Sequence, residues 1–168
     1  MVIDRHRYGG TLEKKIRRYL KKFGITRALC TDSFFYIPTA KTVCFTILRY
    51  TTDEELIEHV NQKYDVDIHD WFFIFSLLHE VGHHMTMSQL SEKDFIEEVA
   101  ARKVISQLID NDTDKNAVYF ELNAEDLANR WAIEYIENHT QECWDFQNRC
   151  FKIIEHIYKK PSFRKRYK

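Results

Sequence analysis

Glycine and proline are scarce in this sequence, four and two residues in 168, which argues against collagen-like repeats and low-complexity loops. Hydrophobic residues make up 44%, too many for a chain that stays unfolded for want of apolar surface to bury. Charge of one sign is also missing. A formal net charge of -1 leaves no global field to recruit nucleic acid or an acidic membrane, so either partner would need a local patch. No apolar run approaches the ~18 residues of a membrane span. Met1 to Gly10 carries charge and no apolar stretch, so no secretory signal is expected and the expected compartment is the cytoplasm. The cysteines, Cys30, Cys44, Cys143 and Cys150, form no CxxC pair, which argues against a zinc ribbon or a redox dithiol. Reduced, buried thiols are expected instead. Cys143 and Cys150 share a helical face with Phe146, Ile153 and Ile157, where free cysteine usually sits.

What is present predicts one domain of the α+β class, mostly α, since a chain of this length can bury a real core. Leu12, Ile16, Leu20 and Phe23 repeat at helical spacing among lysines and arginines, with Gly24 as a stop. Two β-favouring runs, Phe34 to Ile37 and Thr42 to Ile47, flank the turn-length segment Pro38-Thr39-Ala40-Lys41 and predict a hairpin. A short helix follows from Thr52, carrying Leu56, Ile57 and Val60 and ending near Asn61 to Tyr64. From Asp70 the run Trp71 to Leu78 is apolar nearly all round, which places that helix in the middle of the domain. Ser91-Glu92-Lys93-Asp94 resembles a capping box that opens a helix to about Ile109, closed by the polar stretch Asp110 to Asn116. Two more helices are expected, roughly Glu121 to Asn138 and Gln141 to Tyr158.

The central helix runs into His79-Glu80-Val81-Gly82-His83, an HExxH pattern. At i and i+4 the two histidines project from one helical face, as two imidazoles on one metal require. Glu80 points about 100° further round, beside a metal rather than onto it, where it can hold a water and act as general base. The plain alternative is two core histidines that merely hydrogen-bond. Burying Glu80 beside them in so apolar a segment would then be costly without an ion or partner. Gly82 points the same way, because a mid-helix glycine costs ~1 kcal/mol relative to alanine and usually marks close packing or function.

Zinc hydrolases hold the ion with three protein ligands and water, so a third ligand must come from elsewhere. A downstream glycine and histidine cannot complete the set, since Thr86 and Gln89 occupy those positions. The strongest candidate is Glu125, in Glu125-Asp126-Leu127-Ala128-Asn129-Arg130-Trp131-Ala132. Ala128 and Ala132 share its helical face and would admit a close approach, and Asn129 could hydrogen-bond a histidine ligand. Glu97 is the second candidate, because an antiparallel turn near Gln89 would bring it level with His83. Glu121, a turn before Glu125, is a third.

Together, HExGH at His79 to His83 and ExxANxWA at Glu125 to Ala132 resemble the ImmA/IrrE-type gluzincin metallopeptidases, common in phages and mobile elements. The resemblance covers about residues 34–138. It implies a zincin-like minimal metallopeptidase domain with His79, His83 and Glu125 as zinc ligands and Glu80 as catalytic base. It also implies a small hairpin sheet beside the motif helix, along which a peptide would add as a strand. The implied substrate is a specific regulatory protein such as a transcriptional repressor. The interval from His83 to Glu125 exceeds the family's usual spacing, which leaves Glu97 in contention, and Trp131 stands where phenylalanine is more frequent. An oxyanion donor is needed as well, and His139, Tyr135 and Tyr119 are equal candidates.

Two other classes of function fit the same residues. One keeps the fold and the zinc but senses a partner without cutting it. The other is a nucleic-acid-associated accessory protein, acting through the basic opening helix and a tail, Lys159 to Lys168, that holds Lys159, Lys160, Arg164, Lys165, Arg166 and Lys168 and no acid. A solvated tail is the plainer reading. His69 and His84 are read as bystanders.

Overall fold

The computed structural model describes residues 10–47, 54–107 and 122–159. Among the described residues helices dominate and a small three-stranded sheet accompanies them, so the class is α+β, mostly α. The chain divides into two compact units, Met1–Thr51 with Asn138–Lys168, and Thr52–Glu137. None of the described helices is long and apolar enough to cross a membrane.

In the first unit, helix α1 (Gly10–Leu20) buries Leu12, Ile16 and Leu20. Each such side chain stabilises the fold by about 1.5–3 kcal/mol relative to exposure. One further turn of 3-10 helix ends at Gly24, whose φ of 79° lies in the left-handed region that glycine enters without strain. Three strands follow, β1 (Arg27–Thr31), β2 (Phe35–Ile37) and β3 (Thr42–Thr46). The expected hairpin is β2 with β3, antiparallel, joined through Pro38–Ala40 and a left-handed Lys41. Strand β1 is absent from the sequence reading. It pairs in parallel with β3, which makes β3 the centre of a sheet ordered β1-β3-β2. Every residue of β3 is buried, as befits a strand covered on both faces.

Helix α6 (Thr140–Lys159) completes the unit. Tyr19 of α1 stacks on its Phe146, with ring centroids 3.9 Å apart. The Lys22 ammonium lies over the Tyr19 ring and pairs with Glu142. At the other end, the Tyr158 hydroxyl donates to the Ile47 carbonyl at 2.6 Å. All four cysteines are free and buried, and burial pushes the Cys150 thiol up to about 12. A thiol held so far from its thiolate is inert. Ellman's reagent should therefore leave the native protein unlabelled and titrate four thiols per chain once it is unfolded. Rapid labelling of any thiol under native conditions would contradict this packing.

The second unit is built from helices α2 (Glu54–Tyr64), α3 (Phe72–Thr86), α4 (Glu92–Gln107) and α5 (Asn123–Asn138). Helix α2 buries Ile57 and Val60. The chain leaves it through Asp65, at φ 55°, and the Asn61 side chain accepts the Ile68 N–H at 2.9 Å. A 3-10 turn, His69–Trp71, feeds α3, which buries its first half almost all round, as its unbroken apolar run predicts. The expected cap on α4 forms with aspartate as its acid: Asp94 Oδ2 accepts from both the backbone and the hydroxyl of Ser91, and Ser91 Oγ accepts the Asp94 N–H. Asp94 also accepts from Asn123 at 3.0 Å, tying the start of α5 to the start of α4. The polar stretch Asp110 to Asn116 lies outside the described residues, as does the basic tail beyond Lys159.

Candidate metal centre

One helical turn separates His79 from His83 on α3, and their Nε2 atoms stand 3.1 Å apart. Leu77, Leu78, Glu80, Val81 and Gly82 beside them are buried, yet the two imidazoles keep 13% and 19% of their side-chain surface open. Helix α5 brings the Glu125 carboxylate to both rings, with Oε2 3.0 Å from His79 Nε2 and Oε1 3.4 Å from His83 Nε2. These donors lie within 4.8 Å of one another and form a group that could hold a metal ion.

The approach of α5 to α3 depends on small residues. A Cβ placed on Gly82 would meet the Ala128 carbonyl oxygen at 2.6 Å and its Cα at 2.8 Å. The backbone of α5 thus occupies the space that any side chain at position 82 would need. Ala124, Ala128 and Ala132 are buried on the same helix as Glu125 and Asn129. This is the close approach that the glycine and the alanine spacing predict. Asn129 follows Glu125 by one turn, and its Oδ1 accepts from His79 Nδ1 at 2.8 Å.

Electrostatics couple the three groups. Burial disfavours a charged His79, but the hydrogen bond and charge of Glu125, then the charge of Glu80 and the Asn129 contact, raise its pKa to about 9. Burial likewise opposes the Glu125 carboxylate, and hydrogen bonds from His79 and His83 outweigh it, holding that group well below the usual carboxylate range. Without a metal, the site therefore favours an imidazolium beside a carboxylate, a pair with a proton that a metal ion can replace. Glu80 is buried, 7% exposed, and is not one of the three converging donors, in keeping with its position round the helix.

Glu97 is elsewhere: it is exposed and pairs with Lys93 one turn earlier on α4, at 3.3 Å. Glu121 and Tyr119 lie outside the described residues. Of the other oxyanion candidates, Tyr135 stacks on Trp131 with centroids 5.3 Å apart, and the exposed His139 lends its carbonyl to the Cys143 N–H. His69 is exposed beside Asp70, 4.0 Å away, and neither it nor His84 joins the donor group.

Tyr64 and Asp126, which carry no motif in the sequence, hydrogen-bond at 2.9 Å. Burial works against the Asp126 carboxylate, but Arg130, Lys63 and Tyr64 hold it down at about 2. Only the i, i+4 spacing of Asp126 and Arg130 was visible beforehand. Compared with protein-family models, curated proteins and solved structures, the chain matches none.

Proposed function

We propose that this chain is a zinc-dependent metalloendopeptidase. The observation that carries the reading is the convergence of two imidazole Nε2 atoms and one carboxylate, with a second buried glutamate, Glu80, next in sequence to the first histidine. Two histidines and a glutamate are a donor set that zinc hydrolases use. Tetrahedral zinc with ligands at about 2.0–2.1 Å sets neighbouring donors about 3.3 Å apart. The separations here, 3.1, 3.0 and 3.4 Å, suit it. When bound, zinc would lower the pKa of a coordinated water and polarise a substrate carbonyl.

The chain's own residues supply the remainder. Asn129 holds the Nδ1 side of His79 and so orients its ring, and the Gly82–Ala128 approach holds Glu125 in reach of both histidines. Glu80 acts as general base, its carboxylate taking a proton from the attacking water and returning it to the departing amine. The buried helix around it strengthens that exchange by keeping bulk water away. The resemblance to ImmA/IrrE-type gluzincins supports a zincin-like fold and a specific regulatory protein, such as a repressor, as substrate.

Glu80→Gln tests this reading, because it leaves the donor set intact. Zinc should remain at the wild-type stoichiometry by elemental analysis, while hydrolysis of a cleaved peptide, found by screening a peptide library, drops by roughly 10²–10⁴-fold. Protein that carries no zinc, or a Glu80→Gln variant that cuts as fast as the wild type, would sink it.

A further inference from the structure

Between Gly10 and Arg27 the sequence holds seven lysines and arginines and a single acid, Glu13. Helix α1 sorts them. Leu12, Ile16 and Leu20 turn inward and are fully buried. At 3.6 residues per turn, Lys14, Lys15, Arg17, Arg18 and Lys21 then spread over an arc of about 160° on the opposite side. Four of the five are exposed, and Lys15 is half-buried. Lys22 is set apart from them, because it pairs with Glu142 of α6 and lies over the Tyr19 ring. Glu13 does not offset the others: its Oε1 accepts the N–H of Cys30, in edge strand β1, at 2.9 Å. Among the described residues no carboxylate pairs with any of the five cations.

Such a face works against its own helix. Lys14 and Arg18, and likewise Arg17 and Lys21, stand four residues apart, a spacing at which like charges repel. Lys14 with Arg17, and Arg18 with Lys21, stand three apart. We propose that this face of α1 is a docking surface for duplex nucleic acid, held through the backbone phosphates. A duplex carries one negative charge per roughly 1.7 Å of its axis, and that dense line of anions relieves the repulsion among the five cations. Arginines at two of the positions suit phosphate oxygens, which they bind in bidentate fashion. Two features favour a duplex over other polyanions. The apolar stripe of α1 lies inside the fold, whereas a helix that enters a bilayer surface must present its apolar side to the lipid. Tyr19, beside the basic face, is stacked on Phe146 and set edge-on to Phe23, so its ring is taken up within the fold rather than offered to the bases of a single strand. Phosphate contacts carry no sequence information, so the binding is sequence-independent.

The surface belongs to the first unit and uses no residue of the metal centre, so its test is independent of the peptidase reading. The full chain is titrated into a fluorescent duplex of about two helical turns, and anisotropy is read at rising salt. With three phosphates neutralised, affinity should fall roughly 40-fold between about 50 and 200 mM salt, and a duplex of unrelated sequence should behave alike. Arg17→Gln/Lys21→Gln should reduce the slope of log affinity against log salt by about two, one for each phosphate contact removed. Lys14→Gln/Arg18→Gln should do the same. Both variants should melt no lower than the wild type, because each removes repulsion within α1. Lys93→Gln/Lys152→Gln takes the same charge from exposed positions on other helices and should leave the slope unchanged. No binding at about 50 mM salt, a wild-type slope in both α1 variants, or an equal loss in all three variants would overturn the proposal. So would binding to phosphatidylserine vesicles or poly-glutamate as tight as to the duplex, since the face would then belong to a membrane or an acidic protein.

Discussion

Glu125→Ala is expected to abolish the zinc binding proposed for this protein, whereas Glu97→Ala should leave zinc binding at the wild-type level. Both glutamates were open to the sequence as third ligand, but only Glu125 lies within hydrogen-bonding distance of His79 and His83. Glu97 is exposed and engaged with Lys93. Loss of a direct ligand should exceed the ~100-fold upper range seen for outer partners of a metal site. Elemental analysis after gel filtration, with chelator competition, measures both variants; a metal-replete Glu125→Ala protein would refute the assignment. Metal that binds only the folded chain also stabilises it, by about 4 kcal/mol at a thousand times Kd, so chelation should lower the wild-type melting temperature and leave that of Glu125→Ala unmoved.

The same variant carries a pH signature in metal-free protein. His79 has a raised pKa, so its pairing with Glu125 contributes fully below the ordinary histidine value of about 6.5 and fades as pH rises through about 9. Glu125 has a lowered pKa, so its contribution is complete above the ordinary carboxylate value of about 4.3 and is lost on acidification. Between these limits the pair stabilises the chelated fold most. Urea unfolding of the chelated wild type should show a lower midpoint above pH 9 than near pH 6, and Glu125→Ala should flatten the difference. Because metal displaces the His79 proton, its apparent affinity should also fall as the pH is lowered.

Gly82→Ala should be the most damaging single methyl group in the second unit. In an open helix this change would stabilise by about 1 kcal/mol. Here the added Cβ would sit 2.6 Å from a backbone oxygen and 2.8 Å from a Cα of α5, atoms that cannot rotate aside as a side chain could. The helices must separate, an overpacking cost of about 1–3 kcal/mol or more that outweighs the gain in helix propensity. A net loss of about 2 kcal/mol corresponds to a melting temperature lower by roughly 4–8 °C in a chain of this size. Since Ala128 lies one turn from Glu125, the displacement also withdraws the carboxylate from the histidines. Calorimetry and zinc titration should therefore change together, and a Gly82→Ala protein as stable as wild type would contradict the close approach.

Several parts of this molecule were legible in the sequence because they depend on neighbours along the chain. The 3.6-residue period puts His79 and His83 on one face whatever surrounds the helix. The apolar run before them predicts a buried α3, and the Pro38 to Lys41 turn registers β2 against β3. The Ala128 and Ala132 spacing, with Gly82, anticipated a close pair of helices. Strand β1 was not legible. Its five residues include one β-branched side chain, Thr31, and its partner β3 pairs with it in parallel, with β2 intervening in sequence, so no local turn announces it. Tyr64 was not legible either, since its contact with Asp126 spans 62 positions. Periodicity by itself left Glu97 and Glu125 open, because each is a glutamate on a helix following the motif. Only the packing of α5 on α3, with a glycine against an alanine backbone, decided which carboxylate stands beside the two histidines.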